Sequence, residues 1–226
     1  NGRELPHSIR SLENIEYDRL ITVGDLEEWL KPDYHISVRR RSISPYSDVF
    51  HKLLAAVADD NVPETFWVMQ DDIYFTKPQK LRTLYSGLLP ENGSGVHKKG
   101  LVRTRELLKA QNKTLYNYDI HVPFMVEKSK VREIAPEVLK TMQGVPIAWR
   151  SYYGNTFNVG GKEYQDRKTR NEELPSGDII STSYYTPELE QMFSEPSEYE
   201  ASGEQTNEQT KTEDWTVSVV IPAYNA

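Results

Sequence analysis

Apolar residues recur along this chain at two spacings, and the changes of spacing mark its elements. Leu5, Ile9 and Leu12 fall on one side of a helix over 4–14, with Arg3, Arg10 and Glu13 off that stripe. Val49, Leu53, Ala56 and Val57 form the face of a second helix over 47–59, which Ser47 or Asp48 can cap. Two further helices are predicted over 103–111 and 129–142, the last with a candidate break at Pro136. Strand character appears at 20–23, in the alternating 34–38, in the continuous apolar run 66–69, across 118–126 and at 178–182. Through the first 75 residues the order is helix, strand, strand, helix, strand. That order predicts an α/β fold, a mixed sheet flanked by helices, whose first strand would lie upstream of residue 1. Residues 90–100 are rich in Gly, Pro and Asn, and with 103–111 they predict a helical and loop insertion after the 66–69 strand.

The pattern stops at residue 187. From there to 214 the chain holds nine acidic residues against one lysine and few apolar ones, the composition of a disordered acidic linker. Order is expected again at 215–226, where 217–221 reads as a strand with nothing nearby to pair with. The chain therefore divides into a main domain over 1–186, a linker over 187–214 and the start of a second domain over 215–226. The net charge of -7 sits in the linker, so the body is close to neutral. No basic stripe argues for nucleic acid. No apolar run approaches the length of a membrane span, and no basic start followed by an apolar core marks a signal peptide. A cytoplasmic protein is expected. The absence of cysteine excludes disulfides, thiolate metal sites and cysteine nucleophiles.

The chemistry concentrates at 66–75, where Phe66, Trp67, Val68 and Met69 lead through Gln70 into Asp71 and Asp72. Two adjacent carboxylates at the end of a buried strand repel each other unless a cation lies between them. A divalent ion with oxygen ligands, Mg2+ or Mn2+, is one resolution. The other is a strand-end turn whose aspartates face water or pair with Arg and Lys. As a bare carboxylate pair, they would make Asp72→Asn neutral or stabilising in the metal-free protein. His121 is a candidate base, although a lone histidine is more often structural. Arg150 lies among aromatics and amides over 147–159, a composition suited to a sugar or a base and equally to a core edge. The charged stretch 161–173 reads as exposed surface.

Two resemblances extend this reading. Residues 217–226, Val-Ser-Val-Val-Ile-Pro-Ala-Tyr-Asn-Ala, resemble the opening strand of family 2 glycosyltransferases, which implies a covalently linked downstream glycosyltransferase domain. The body resembles the Stealth-type transferases of bacterial capsule synthesis. The matching stretches are Glu4 to Leu12, Ile21 to Asp25 with Trp29 and Leu30, the 66–75 strand with Gln70 where that family has Asn, His121-Val122-Pro123, and Arg150. The family's first segment, a strand with an acidic end, has no counterpart. The resemblance implies a GT-A-like, Rossmann-like fold that takes a nucleotide-sugar donor and a glycan or lipid-linked acceptor met at the inner face of the membrane. It implies Mg2+ or Mn2+ on Asp71 and Asp72, His121 as general base, and catalytic roles for Arg150 and Asp72. Arg10, Asp25, Lys52, Tyr153 and Asn155 complete the implied substrate-binding set. The expected function is metal-dependent glycosyl transfer in bacterial surface or capsular polysaccharide assembly. The alternatives are Stealth-type sugar-1-phosphate transfer and a non-catalytic glycan-binding module beside a family 2 glycosyltransferase.

Overall fold

The computed structural model describes residues 4–39, 45–142, 144–169, 173–182, 184–200 and the strand 218–222. Among these residues lie six α-helices and ten short strands in three sheets, a mixed α/β arrangement. Helix α1 (Glu4–Arg10) runs into a 3-10 turn at Ser11–Asn14. Strands β1 (Arg19–Gly24) and β2 (Tyr34–Ser37) follow, then helix α2 (Pro45–Ala58) and strand β3 (Thr65–Val68). After the aspartates come β4 (Ile73–Phe75), β5 (Leu84–Tyr85) and helix α3 (Val96–Ala110). Strand β6 (Phe124–Glu127) passes directly into helix α4 (Lys128–Thr141), and α5 is Trp149–Thr156. The remainder comprises β7 (Lys162–Glu163), β8 (Lys168–Thr169), β9 (Ile179–Thr182), α6 (Pro187–Met192) and β10 (Ser218–Pro222).

The main sheet has the order β2-β1-β10-β3-β6. Its first four strands are parallel, and β6 runs antiparallel to β3. Side chains alternate across a strand, and both faces of this sheet are covered. Ile21, Val23, Phe66 and Val68 enter one core with the inner faces of α2, α4 and α5. Leu20, Trp67 and Met69 enter another with α1, Ile73, Phe75 and Ile179. Burial on both faces is why 66–69 is apolar at every position. Helix α4 passes through Pro136, because Val131, Ile134, Ala135 and Val138 hold both halves against the core. Helix α5 packs so closely that a Cβ on Gly154 would stand 2.5 Å from the Tyr118 ring.

Three expectations need correction. The strand expected at 217–221 does have a partner: β10 lies in the middle of the main sheet, hydrogen-bonded to β1 on one side and β3 on the other. Second, the acidic stretch from 187 does not begin as a linker. Thr186 caps α6 through its side chain, Leu189, Phe193 and Tyr199 are buried, and Glu200 forms two 2.7 Å bonds with Arg10. The rest of the expected linker, 201–214, lies outside the described residues. Third, 118–126 is a strand only from Phe124 on.

Candidate functional site

Asp71 and Asp72 lie where the two larger sheets meet, after β3 of the main sheet and before β4 of the sheet β4-β9-β8. The carboxyl ends of parallel strands are where open α/β sheets bind ligands. A cavity of about 620 Å³ opens there, with Asp71, Asp72, His121, Arg150 and Lys168 in its wall.

The register of the smaller sheet places one of these groups. Ser181 on β9 stands opposite Ile73 on β4 and opposite Lys168 on β8. Lys168 therefore reaches across Ser181 toward the residue before Ile73. Its ammonium donates to Asp72 Oδ2, and to Ser181 Oγ at 3.2 Å. Asp72 is further held through its carbonyl, which accepts the Thr182 N–H at 3.2 Å. Its other carboxylate oxygen, Oδ1, is buried and among the described residues has no hydrogen-bond partner.

Asp166, two residues before Lys168, serves His121. Its Oδ2 lies 2.8 Å from His121 Nδ1, and its Oδ1 accepts the His121 backbone N–H at 3.2 Å. An ionised carboxylate only accepts, so Nδ1 carries the proton of the neutral ring and Nε2 is the basic nitrogen. Arg150, in the first turn of α5, is buried, and its Nη1 donates to the carbonyls of Ile120 at 2.9 Å and Val122 at 3.1 Å. The guanidinium thus grips the backbone on both sides of His121. A second pair stands beside it, His97 Nε2 and Asp119 Oδ2 at 2.8 Å. Burial alone would raise the Asp119 carboxyl; the bond from His97 and the charges of His97, Arg150 and His121 instead hold it below the usual carboxylate range.

Asp71 and Asp72 fit a divalent cation of the magnesium type. Among the described residues no group of three or more His, Cys, Asp or Glu could form an all-protein cage. Magnesium commonly takes one or two carboxylates and completes its shell with water and phosphate oxygens. The unpartnered Asp72 Oδ1 is the atom such an ion would satisfy. The alternative resolution, an Asp paired with a Lys, also holds for Asp72 through Lys168.

No protein-family model matches the chain, and no curated protein matches it either.

Of the anticipated residues, Asp71, Asp72, His121 and Arg150 come together in one cavity. The other five do not line it. Arg10 forms a two-point pair with Glu200 and donates to the Phe193 carbonyl, holding α6 to α1. Asp25 is exposed after β1, and Lys52 is buried against Asp48 at 3.0 Å. Tyr153 is buried and its hydroxyl accepts the Glu127 N–H. Asn155 is buried and bonded to Thr114, Tyr116 and Ser151. Asp166 and Lys168 were missed, because the stretch 161–173 reads as exposed charge. A signal was available: Asp166 and Lys168 are two apart in an extended segment, so both side chains face the same way.

Proposed function

We propose that the chain is a nucleotide-sugar-dependent transferase with a GT-A-like body, which uses a divalent cation at Asp71 and Asp72. The observation that carries this reading is the His121–Asp166 pair, which opens into the cavity that Asp71 and Asp72 line. An acceptor hydroxyl placed at Nε2 loses its proton to His121 as its oxygen attacks, and Asp166 stabilises the imidazolium that forms. When bound, the cation supplies Lewis-acid neutralisation of the donor's diphosphate.

Arg150 favours one of the two possible centres of attack. It is fixed to the carbonyls on either side of His121, so a hydroxyl activated by His121 attacks an atom close to a guanidinium. At phosphorus the transition state carries negative charge on its oxygens, which a guanidinium stabilises. At an anomeric carbon the developing charge is positive. Sugar-1-phosphate transfer is therefore the better fit. Glycosyl transfer is the second reading, supported by the likeness of 217–226 to the opening strand of family 2 glycosyltransferases; of that stretch, 218–222 is strand β10 of this sheet. A glycan-binding module without turnover draws no support, because Tyr152, Tyr153 and Asn155 are buried.

The test is to incubate the protein with Mn2+, a panel of nucleoside diphosphate sugars and hydroxylated acceptors, and to identify the released nucleotide. A nucleoside monophosphate is expected. A diphosphate would select glycosyl transfer. No release with any donor, and no donor binding by calorimetry, would remove the transferase reading altogether.

A further inference from the structure

We infer that Lys168 is an exchangeable counter-ion: it holds Asp72 while the site has no donor, and turns to the donor's diphosphate when cation and donor bind. The inference rests on the transferase reading and adds the group that couples its two ligands.

The ammonium of Lys168 has three hydrogens. Two are directed at Asp72 and Ser181, and among the described residues the third has no partner. The side chain lines the cavity and is 14% exposed, while that of Asp72 is 19% exposed. Lysine is a flexible point charge, suited to changing partners, where a bidentate arginine would hold its carboxylate. A cation arriving alone must compete with this ammonium for Asp72. A cation arriving with a diphosphate does not, because the diphosphate offers Lys168 new acceptors and releases Asp72 to the metal. Strand β8 makes the motion local. Its backbone stays in register with β9, the Arg167 carbonyl accepting the Ser181 N–H at 3.1 Å. Only the four-carbon stem of Lys168 has to swing.

The consequence is an opposite change in two affinities, which a purely structural lysine would not produce. The probes are Mn2+ alone, followed by electron paramagnetic resonance, and inorganic pyrophosphate in the presence of Mn2+, followed by calorimetry. Lys168→Gln is expected to tighten Mn2+ alone by about ten-fold, as expected when a partly buried competing charge is removed. It is expected to weaken pyrophosphate by a similar factor. Lys168→Arg keeps the competing charge and holds the carboxylate, so it should bind Mn2+ alone no more tightly than wild type, and Lys168→Met replaces the Gln variant should that one fail to fold. Arg167→Gln removes the same charge from the neighbouring position and should move neither affinity. Equal effects at 167 and 168, or a change of the same sign for both probes, overturn the inference. Asp72→Asn separates this outcome from failure of the transferase reading. If it abolishes Mn2+ binding while Lys168→Gln changes nothing, the cation site stands and the exchange does not. If Mn2+ binding survives in Asp72→Asn, the cation site at Asp72 falls, and the exchange with it.

Discussion

At the scale of single residues, Asp72 and Arg150 each do something the bare sequence conceals. Read as half of a repelling pair, Asp72 would be neutral or stabilising when changed to Asn. Its ion pair with Lys168 reverses the sign. Asp72→Asn leaves a mostly buried ammonium without its counter-charge, and the metal-free protein should lose about 1–3 kcal/mol. Urea unfolding in chelator measures this, and an unchanged or higher midpoint would restore the simpler picture. Arg150 is a backbone clamp as well as a charge. Arg150→Lys should lower turnover on the order of 10²–10³-fold, with donor affinity changed far less, if it acts on charge that develops at phosphorus. Arg150→Ala should additionally leave the Ile120 and Val122 carbonyls without their donor and lower the melting temperature. If Lys instead weakens donor binding while turnover at saturation holds, Arg150 serves binding rather than the reaction.

At the scale of elements, legibility follows how local the cause is. Helix α2 announces itself because one period sorts its own side chains into core and surface, and strands β1 and β3 because burial on both faces makes them short continuous apolar runs. Segment 187–200 does not. Its anchors Leu189, Phe193 and Tyr199 are too few and too unevenly spaced to set a period, and they meet partners such as Tyr74, Ile180 and Leu30 far away in sequence. Asp166 and Lys168 were hard to read for the same reason: their partners lie in the turn before β4 and in the loop before β6. The packing of α6 carries a stability prediction, Leu189→Ala costing about 2–5 kcal/mol as a buried leucine deletion. It also carries a pH dependence. His7 is buried, its Nδ1 without a hydrogen-bond partner among the described residues, and burial first, then the charge of Arg10, pushes its pKa below the ordinary 6.5. The native state therefore binds fewer protons than the unfolded one, and stability falls as pH drops below about 6.5. Glu200 adds a second step. Burial would raise its carboxyl, but bonds from Arg10 and Ser197 hold it below the ordinary 4.5, so its contribution is present above that value and lost at lower pH. Unfolding midpoints should decline as pH falls through 6.5 and again as it falls through 4.5. His7→Gln should make the first decline shallower and leave the part due to His35, whose pKa burial also lowers, and an unaltered slope in that variant would exclude His7 as a source.

At the scale of the whole molecule, the fold closes through its last described strand. The neighbours of β10, strands β1 and β3, come from the first third of the chain. No local pattern in 217–221 could identify them, since a short apolar run fits any open strand edge. Without β10 the facing edges of β1 and β3 would lose their hydrogen bonds in the interior, where unpaired backbone groups are costly. The site would suffer as well. Pro222 is paired with Val23, and Val220 with Val68, so the carboxyl end of β10 lies at the same sheet edge as the Asp71–Asp72 turn. Val220→Pro isolates this contribution, because it removes a ladder donor from a central strand and leaves a buried carbonyl unsatisfied, a cost of about 1–3 kcal/mol. Amide exchange is the sensitive readout. Protection should fall together in β1 and β3 and remain in α3, which contributes nothing to that sheet. Mn2+ binding at Asp72 should weaken in parallel. A shortened chain ending at Glu200 should show the same loss, and a peptide of residues 216–226 added in trans should restore both protection and Mn2+ binding. Wild-type exchange rates in β1 and β3 of Val220→Pro would mean that the sheet holds without its middle strand. The site would then be organised by β3, β8 and β9 alone.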